Sequence, residues 1–326
     1  MNGYSKINIF KHFSFCWFLC VLCIFFVGAS KKPDSLRVNG PEKRLEKGPL
    51  LESSLKNWCQ EVREATVRLK WKVEPCDGID WKIGGTSVNG RPLVYAEFGN
   101  IQAENTTLVF AMVHGDEVTP LYLGIELAHL MKAQQSKMVN TRVVIAPLIN
   151  PDGFFRSPRT RVNANGVDVN RNFATEDWEK RAILLWKSKF RSDPRRNPGT
   201  KSSSEPETLF QEEMIRKIMP QKILSVHSPL NFMDYDGPGT IGMPNLPTDY
   251  ISECIRLRKR LKANSGGFFP GSLGNFAGHR GIPTITAELK SSDSTKAVQY
   301  WNQVRQWVQT LIEFPVRPLV TQAKAL

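Results

Sequence analysis

The chain holds five histidines, and two stand where a metal ion could use them. His114 closes the apolar run 108–113 and is followed by Gly115, Asp116 and Glu117, after which a helical pattern begins. At a strand-to-helix turn, a spacing of three lets an imidazole and a carboxylate converge on one ion, which suits zinc with N and O ligands at about 2.0–2.2 Å. A catalytic site needs a third ligand and an open position. His227 ends a second apolar run, 223–226, and so reaches the same sheet edge. Alone, an H-x-x-E pattern is most often a surface histidine near a glutamate; the second strand-end histidine turns the reading toward a metal. Of the others, His12 lies in the leader, His129 reads as structural, and His279 reads as a loop residue or as part of a pocket mouth.

Residues so placed need a frame. Apolar runs at 93–98, 108–113, 143–148, 223–226 and 283–289 read as strands, and helical periodicity fills 118–135, 176–190, 205–219, 248–263 and 294–313. Alternating strands and helices predict an α/β fold: a single domain with a mixed, mainly parallel, twisted sheet and helices on both faces. Ligands in such sheets collect at the carboxyl ends of strands, where both histidines fall. The stripe Tyr300, Trp301, Val304, Trp307, Val308 and Leu311 is a core-facing helix face. Residues 271–274, Gly-Ser-Leu-Gly, read as a tight turn near the pocket.

The formal charge of +13 invites a nucleic-acid reading, but the basic residues are scattered, without zinc-finger cysteine pairs or an RNP-type signature. No nucleic-acid partner is expected. Residues 1–29 carry Lys6, Lys11, an apolar run at 13–27 and small residues at 28–30, which predicts a secretion signal cut at Ala29/Ser30. The alternative is an uncleaved anchor. After removal no stable membrane span is expected. Residues 30–50 read as a linker and 51–78 as a small helical and hairpin segment; 79–316 form the main domain and 317–326 a tail. In that small segment, Cys59 sits in a helical pattern and Cys76 follows the apparent strand 69–73. Cys59 and Cys76 either staple it or stay unpaired with Cys254.

The stretch Asn150-Pro-Asp-Gly153, followed by Arg161-Val-Asn-Ala-Asn-Gly-Val-Asp168-Val-Asn170-Arg171-Asn-Phe173, gives these elements a common meaning. With the H-x-x-E before it, a strand-end histidine after it and Glu288 near the C-terminus, the chain resembles the zinc metallocarboxypeptidases over about 80–315. Ser204-Glu-Pro-Glu-Thr208, His227-Ser-Pro-Leu230 and the 271–278 stretch look more like the bacterial murein-peptide amidase branch than the digestive enzymes. The resemblance implies one zinc per chain on His114, Glu117 and His227. It implies Glu288 as general base, Arg161 or the nearby Arg159 as oxyanion partner, and Asn170 and Arg171 as a clamp for a terminal carboxylate. Asp168 would fix the His114 ring, and Thr286 would line the specificity pocket. Asp234 and Asp236 either meet a cationic substrate group or belong to a solvated loop. The mobile tyrosine of digestive members has no counterpart in Gly266-Gly-Phe-Phe269.

The expected reaction is zinc-dependent hydrolysis of an amide next to a free carboxylate, with a murein peptide as substrate and the bond from γ-D-Glu to meso-diaminopimelate as target. An exported, periplasmic enzyme is implied, or one held at the inner membrane by its leader. A conventional peptide carboxypeptidase and a zinc deacylase of the desuccinylase or aspartoacylase type are the rival enzymes, and a non-catalytic murein-binding module is the rival from another class. Oligomeric state is left open.

Overall fold

Val94 and Ala96 point to one side of their strand and Leu93 to the other, and this alternation builds two apolar layers. The computed structural model describes residues 49–240, 245–266 and 269–319. The leader, most of the linker, Gly267, Phe268 and the tail from 320 lie outside them. The elements are α1 (Pro49–Arg68), β1 (Lys82–Thr86), β2 (Pro92–Gly99), β3 (Asn105–Ala111), α2 (Thr119–Gln134), β4 (Thr141–Ala146), α3 (Pro151–Phe155) and α4 (Ile183–Ser188). There follow α5 (Pro206–Ile218), β5 (Lys222–His227), β6 (Phe232–Asp236), α6 (Thr248–Leu261), β7 (Asn264–Ser265), α7 (Leu273–Gly278), β8 (Thr284–Glu288) and α8 (Ala297–Glu313).

The strands form one eight-stranded sheet in the order β1-β2-β4-β3-β5-β8-β6-β7. Its centre, β4-β3-β5-β8, is parallel, while β1, β2 and β6 join antiparallel. Every residue of β5 is buried, as befits a central strand covered on both faces. Helices α1, α2, α6 and α8 cover one face, with Val109, Leu224, Val226 and Ile285 beneath them. On the other face α5 and α7 pack against Leu108, Phe110 and Ile223. The expected α/β fold with helices on both faces is therefore present, and Tyr300, Trp301, Val308 and Leu311 of α8 are buried as the stripe required.

Three strands were not legible as apolar runs. β1 reads Lys-Ile-Gly-Gly-Thr, β6 reads Phe-Met-Asp-Tyr-Asp, and β7 has two residues. The strand expected at 69–73 is absent: Lys70 turns the chain at φ +60 after α1, and 71–74 pairs with no strand. The helix expected at 176–190 is a π-helical turn, Trp178–Ala182, running into the short α4. No helix among the described residues is long and apolar enough to cross a membrane.

Helix α1 is part of the core. Trp58 and Val62 are buried, and the Trp58 ring meets Trp81 edge-on at 5.5 Å. Cys59 and Cys76 form a disulfide, closing a loop with a sequence separation of 17, and Cys254 is a buried free thiol. A loop of that length removes about 3 kcal/mol of chain entropy from the unfolded state. Cys76→Ser is therefore expected to lower the unfolding free energy by about that amount in denaturant titrations of oxidised protein. A loss near zero would mean that packing alone anchors the segment.

Candidate active site

The parallel centre of the sheet delivers three chain ends to one place. β3 runs into His114, β5 ends on His227, and β8 ends on Glu288, which is the direct partner of His227 in the β5–β8 register. His114 and His227 are each 2% exposed and Glu117 is 7% exposed. Their donor atoms lie within 4.8 Å of one another. His114 Nδ1 is 2.8 Å from Glu117 Oε1, and His227 Nδ1 is 3.0 Å from Glu117 Oε2 and 3.1 Å from His114 Nδ1. The remote nitrogens are taken elsewhere: His114 Nε2 is 3.1 Å from Asp168 Oδ1, and His227 Nε2 is 3.0 Å from Ser225 Oγ. Each ring is thus fixed from behind and turns Nδ1 to a common point. Two imidazoles and a carboxylate so disposed fit the donor set of a hydrolytic zinc site. Burial opposes the charge on Glu117, but His114 and His227 outweigh it and hold the carboxyl below its ordinary range.

Behind the histidine, Asp168 is fully buried, and its second oxygen accepts from Arg161 Nε at 2.9 Å. Arg161 Nη1 also reaches Glu117 Oε1 at 3.2 Å. Burial disfavours the Asp168 anion, yet Arg161 and then His114 lower its pKa well below the usual value. The Asn-Pro-Asp-Gly turn sets Arg161. Asn150 Nδ2 donates to the Arg161 carbonyl at 3.0 Å, and Asn150 Oδ1 accepts from Gly153 N at 2.9 Å. Gly115, between the two metal-donor positions, lies so close to the Gly153 backbone that a Cβ there would overlap it. Arg159 instead points away, 4.9 Å over the Phe154 ring, so Arg161 is the arginine brought to the site.

Of these groups His114, Glu117, Arg161, Ser225 and His227 open onto one cleft of about 640 Å³, which also takes in Asn170, Arg171, Asp234, Asp236, Thr286 and Glu288. Asn170 Oδ1 accepts from Leu273 N at 2.9 Å, which leaves its Nδ2 free of described partners. Arg171 lies 4.6 Å beneath the Phe269 ring. Burial above all, relieved in part by Asp168 and reinforced by Arg161 and Arg196, brings its pKa down to about 10.

The comparisons bear on this arrangement. A family model described as zinc carboxypeptidase matches residues 79–236, the span that carries His114, Glu117, Arg161, Asp168, Asn170, Arg171 and His227. Over those residues the chain matches the zinc carboxypeptidase family, and the match supports a zinc hydrolase. It is 29% identical over 215 residues to murein peptide amidase A of Escherichia coli (strain K12), covering 65% of this chain and 82% of the relative. It is 36% identical over 124 residues to carboxypeptidase SOL1 of Arabidopsis thaliana, covering 31% and 25%. The structure of bovine thrombin-activatable fibrinolysis inhibitor in complex with tick carboxypeptidase inhibitor shares the fold. Its TM-score is 0.56 at 16% identity, with 80% of this chain and 95% of that chain covered.

Within this family frame, the acidic pair departs from one of its two readings. Asp234 and Asp236 are not in a solvated loop; they stand on β6, opposite Thr286 and Thr284 of β8, on the face that looks into the cleft. Asp236 is 7% exposed, and its Oδ1 has no hydrogen-bond partner among the described residues. Burial, then the Asp234 charge, pushes its pKa up to about 7. Gly274 of α7 lets the chain close on this carboxylate, since a Cβ there would collide with it. The tight turn expected at 271–274 begins α7, with Ser272 Oγ accepting from Asn275 N at 3.2 Å. His279 follows that helix and does not line the cleft, and His129 donates to the Glu74 carbonyl at 2.7 Å in a structural role.

The sequence reading missed four residues that the fold brings in. Ser225 was readable as the one polar residue in the run 223–226, two positions from His227 and so on its face. Arg195, Arg196 and Phe269 had no such signal, because the irregular 174–204 segment brings the arginines in. The donor geometry predicts that His227→Ala loses stoichiometric zinc at micromolar metal. Full occupancy of that variant by metal analysis would reject this ligand set.

Proposed function

We propose that this zinc carboxypeptidase-family protein is an exported hydrolase of murein peptides that cleaves the amide between γ-D-Glu and meso-diaminopimelate. One observation carries the reading: a half-buried arginine, Arg171, and a buried aspartate, Asp236, whose Oδ1 has no hydrogen-bond partner among the described residues, face the same cleft as the zinc donors. A residue with a free carboxylate and a side chain ending in both an ammonium and a carboxylate needs both signs of charge in its pocket, because an apolar one would make its desolvation costly. Similarity to murein peptide amidase A supports the same substrate class.

In this proposal His114, Glu117 and His227 hold one zinc ion, which when bound supplies Lewis acidity to the amide carbonyl. Glu288, at the end of β8, accepts the proton of the attacking water and returns it to the leaving amine. Arg161 keeps Nη2 without a described partner after serving Asp168 and Glu117, and offers it to the oxyanion. Asn170 and Arg171 grip the terminal carboxylate through the amide Nδ2 and the guanidinium fork. Asp168 orients His114, Thr286 contributes a hydroxyl to the pocket, and Asp236, with Asp234 beside it, receives the ammonium. Residues 1–29 act as the export leader and 30–50 as a linker, ahead of the 51–78 segment, the catalytic domain 79–316 and the tail 317–326. The compartment is the periplasm, or its inner-membrane face if the leader stays attached.

A second reading draws on the same acid pair. A peptide carboxypeptidase that removes a C-terminal residue with a cationic side chain also uses Asp236, and carboxypeptidase SOL1 is among the relatives. Muropeptides of three, four and five residues, incubated with zinc-loaded protein and read by mass spectrometry, separate the two. Release of diaminopimelate supports the amidase; release of D-Ala, or of lysine from control peptides alone, supports the second reading. Glu288→Gln is expected to keep zinc and lose about 10²–10⁴-fold in kcat. A variant within a few-fold of wild type would remove Glu288 from the proton path.

Asp236 adds a pH signature. Its pKa in the folded protein is raised to about 7, so the folded state binds the extra proton and stability from this group falls as pH rises through the window from the unfolded aspartate value of 3.8 to about 7. Asp236→Asn should therefore be more stable than wild type at pH 8 and lose that advantage by pH 4. The same carboxylate, once ionised, should sharpen preference for a diaminopimelate end over a leucine end by roughly tenfold between pH 5 and pH 8, a gain that Asp236→Asn abolishes. A pH-independent preference would place selectivity elsewhere.

A further inference from the structure

Arg171 and Arg196, which line the cleft, belong to a ladder of cations laid on aromatic rings. Arg171 Cζ is 4.6 Å from the Phe269 ring, the Phe269 and Phe190 centroids are 6.4 Å apart, and Lys189 Nζ sits 5.7 Å from each. Arg196 Cζ closes the ladder, 4.6 Å from Phe190. Such spacings lie inside the range of cation–π attraction, which fixes a guanidinium plane while leaving its N–H edges open. The nearest carboxylate to Arg196 is Asp193, with Oδ2 3.9 Å from Nε, beyond hydrogen-bonding reach. No described acceptor occupies its terminal nitrogens. Arg195, beside it, is already committed to Asp116 at 2.7 Å.

Held cations whose counter-ions do not fully neutralise them repel one another, and Arg196 acts on Arg171 in that sense. The side chain of Arg196 is 39% exposed, so solvent lessens the cost without removing it. An anion lodged between them would relieve it. If Arg171 takes the terminal carboxylate, as proposed above, the edges of Arg196 remain for another acid. We infer that Arg196, stacked on Phe190 and flanked by Lys189, is a specificity-determining residue that receives a second carboxylate of the substrate. The inference rests on the reading of Arg171 and narrows the substrate class to N-acyl amino acids with at least two free carboxylates. That second acid can come from the side chain of the leaving residue or from the α-carboxylate of a γ-linked glutamate on the acyl side.

The two sources are separable by equilibrium binding to zinc-loaded full-length Glu288→Gln protein, read by calorimetry. The probes are γ-D-glutamyl-aminoadipate, γ-D-glutamyl-norleucine and γ-aminobutyryl-aminoadipate. Each of the latter two lacks one carboxylate. Removing the recognised carboxylate is expected to weaken binding roughly tenfold, the scale of one charge-assisted contact. In Arg196→Gln that difference should collapse toward one, and Arg196→Lys should restore part of it. Because each ratio is taken within one variant, incomplete folding cancels. If neither deletion matters, or if Arg196→Gln keeps the full difference, the inference is overturned. Should the Arg196-dependent ratio appear while diaminopimelate peptides bind no better than aminoadipate peptides, the subsite stands and the murein assignment falls.

Discussion

The site depends on a single buried carboxylate. Asp168 is fully excluded from solvent, and both of its oxygens are occupied: one by His114 Nε2 and Asn170 N, the other by Arg161 Nε. A charge in that position is tolerated only because every lone pair facing the protein is met by a cation or a donor. The consequence is geometric. One residue sets the ring plane of His114, the direction of the arginine beside it, and the start of the turn that carries Asn170 and Arg171. The neighbouring loop is tied in the same manner, for Asn163 Nδ2 donates to Glu205 Oε2 at 2.7 Å and Glu207 Oε2 at 2.8 Å. Glu205 and Glu207 therefore serve to hold the loop that follows Arg161.

This accounts for what could be read in the sequence and what could not. The parallel centre of the sheet was legible because β3, β4 and β5 are covered on both faces and each carries a mostly apolar run. His114 and His227 were legible because such a run ended on each of them. β6 was hidden for the opposite reason: its cleft-facing positions are Phe232, Asp234 and Asp236, so function has replaced the apolar residues that would announce a strand. Arg159 and Arg161 have the same type and nearly the same position in the chain. Only contacts made in the fold, the bonds of Arg161 to Asp168 and Glu117 and the seat of Arg159 on Phe154, show which of them faces the cleft.

The period of two along a strand also explains why the acids gather. β6 runs antiparallel to β8 with Phe232 opposite Glu288, Asp234 opposite Thr286 and Asp236 opposite Thr284. Alternate residues share a face, so placing Glu288 toward the cleft commits Thr286 to the same side, and with it the even-numbered acids of β6. Their proximity has an electrostatic cost. Burial first and then Glu288 raise the pKa of Asp234, and burial and Asp234 do the same to Asp236.

Opposing walls of unlike sign resolve an apparent conflict with stability. An acidic wall of Asp234, Asp236 and Glu288 and a cationic wall of Arg171 and Arg196 would each be more stable if neutralised by the other, yet no ion pair joins them among the described residues. The sheet prevents it: β6 and β8 are held by their ladder, and the cations are pinned to Phe269 and Phe190. A molecule carrying both charges can complete each wall without moving either, so the ordering cost is met during folding and not at binding. Under the proposed function, the rigid separation of charge, more than any single contact, is what favours a zwitterionic substrate over a neutral one.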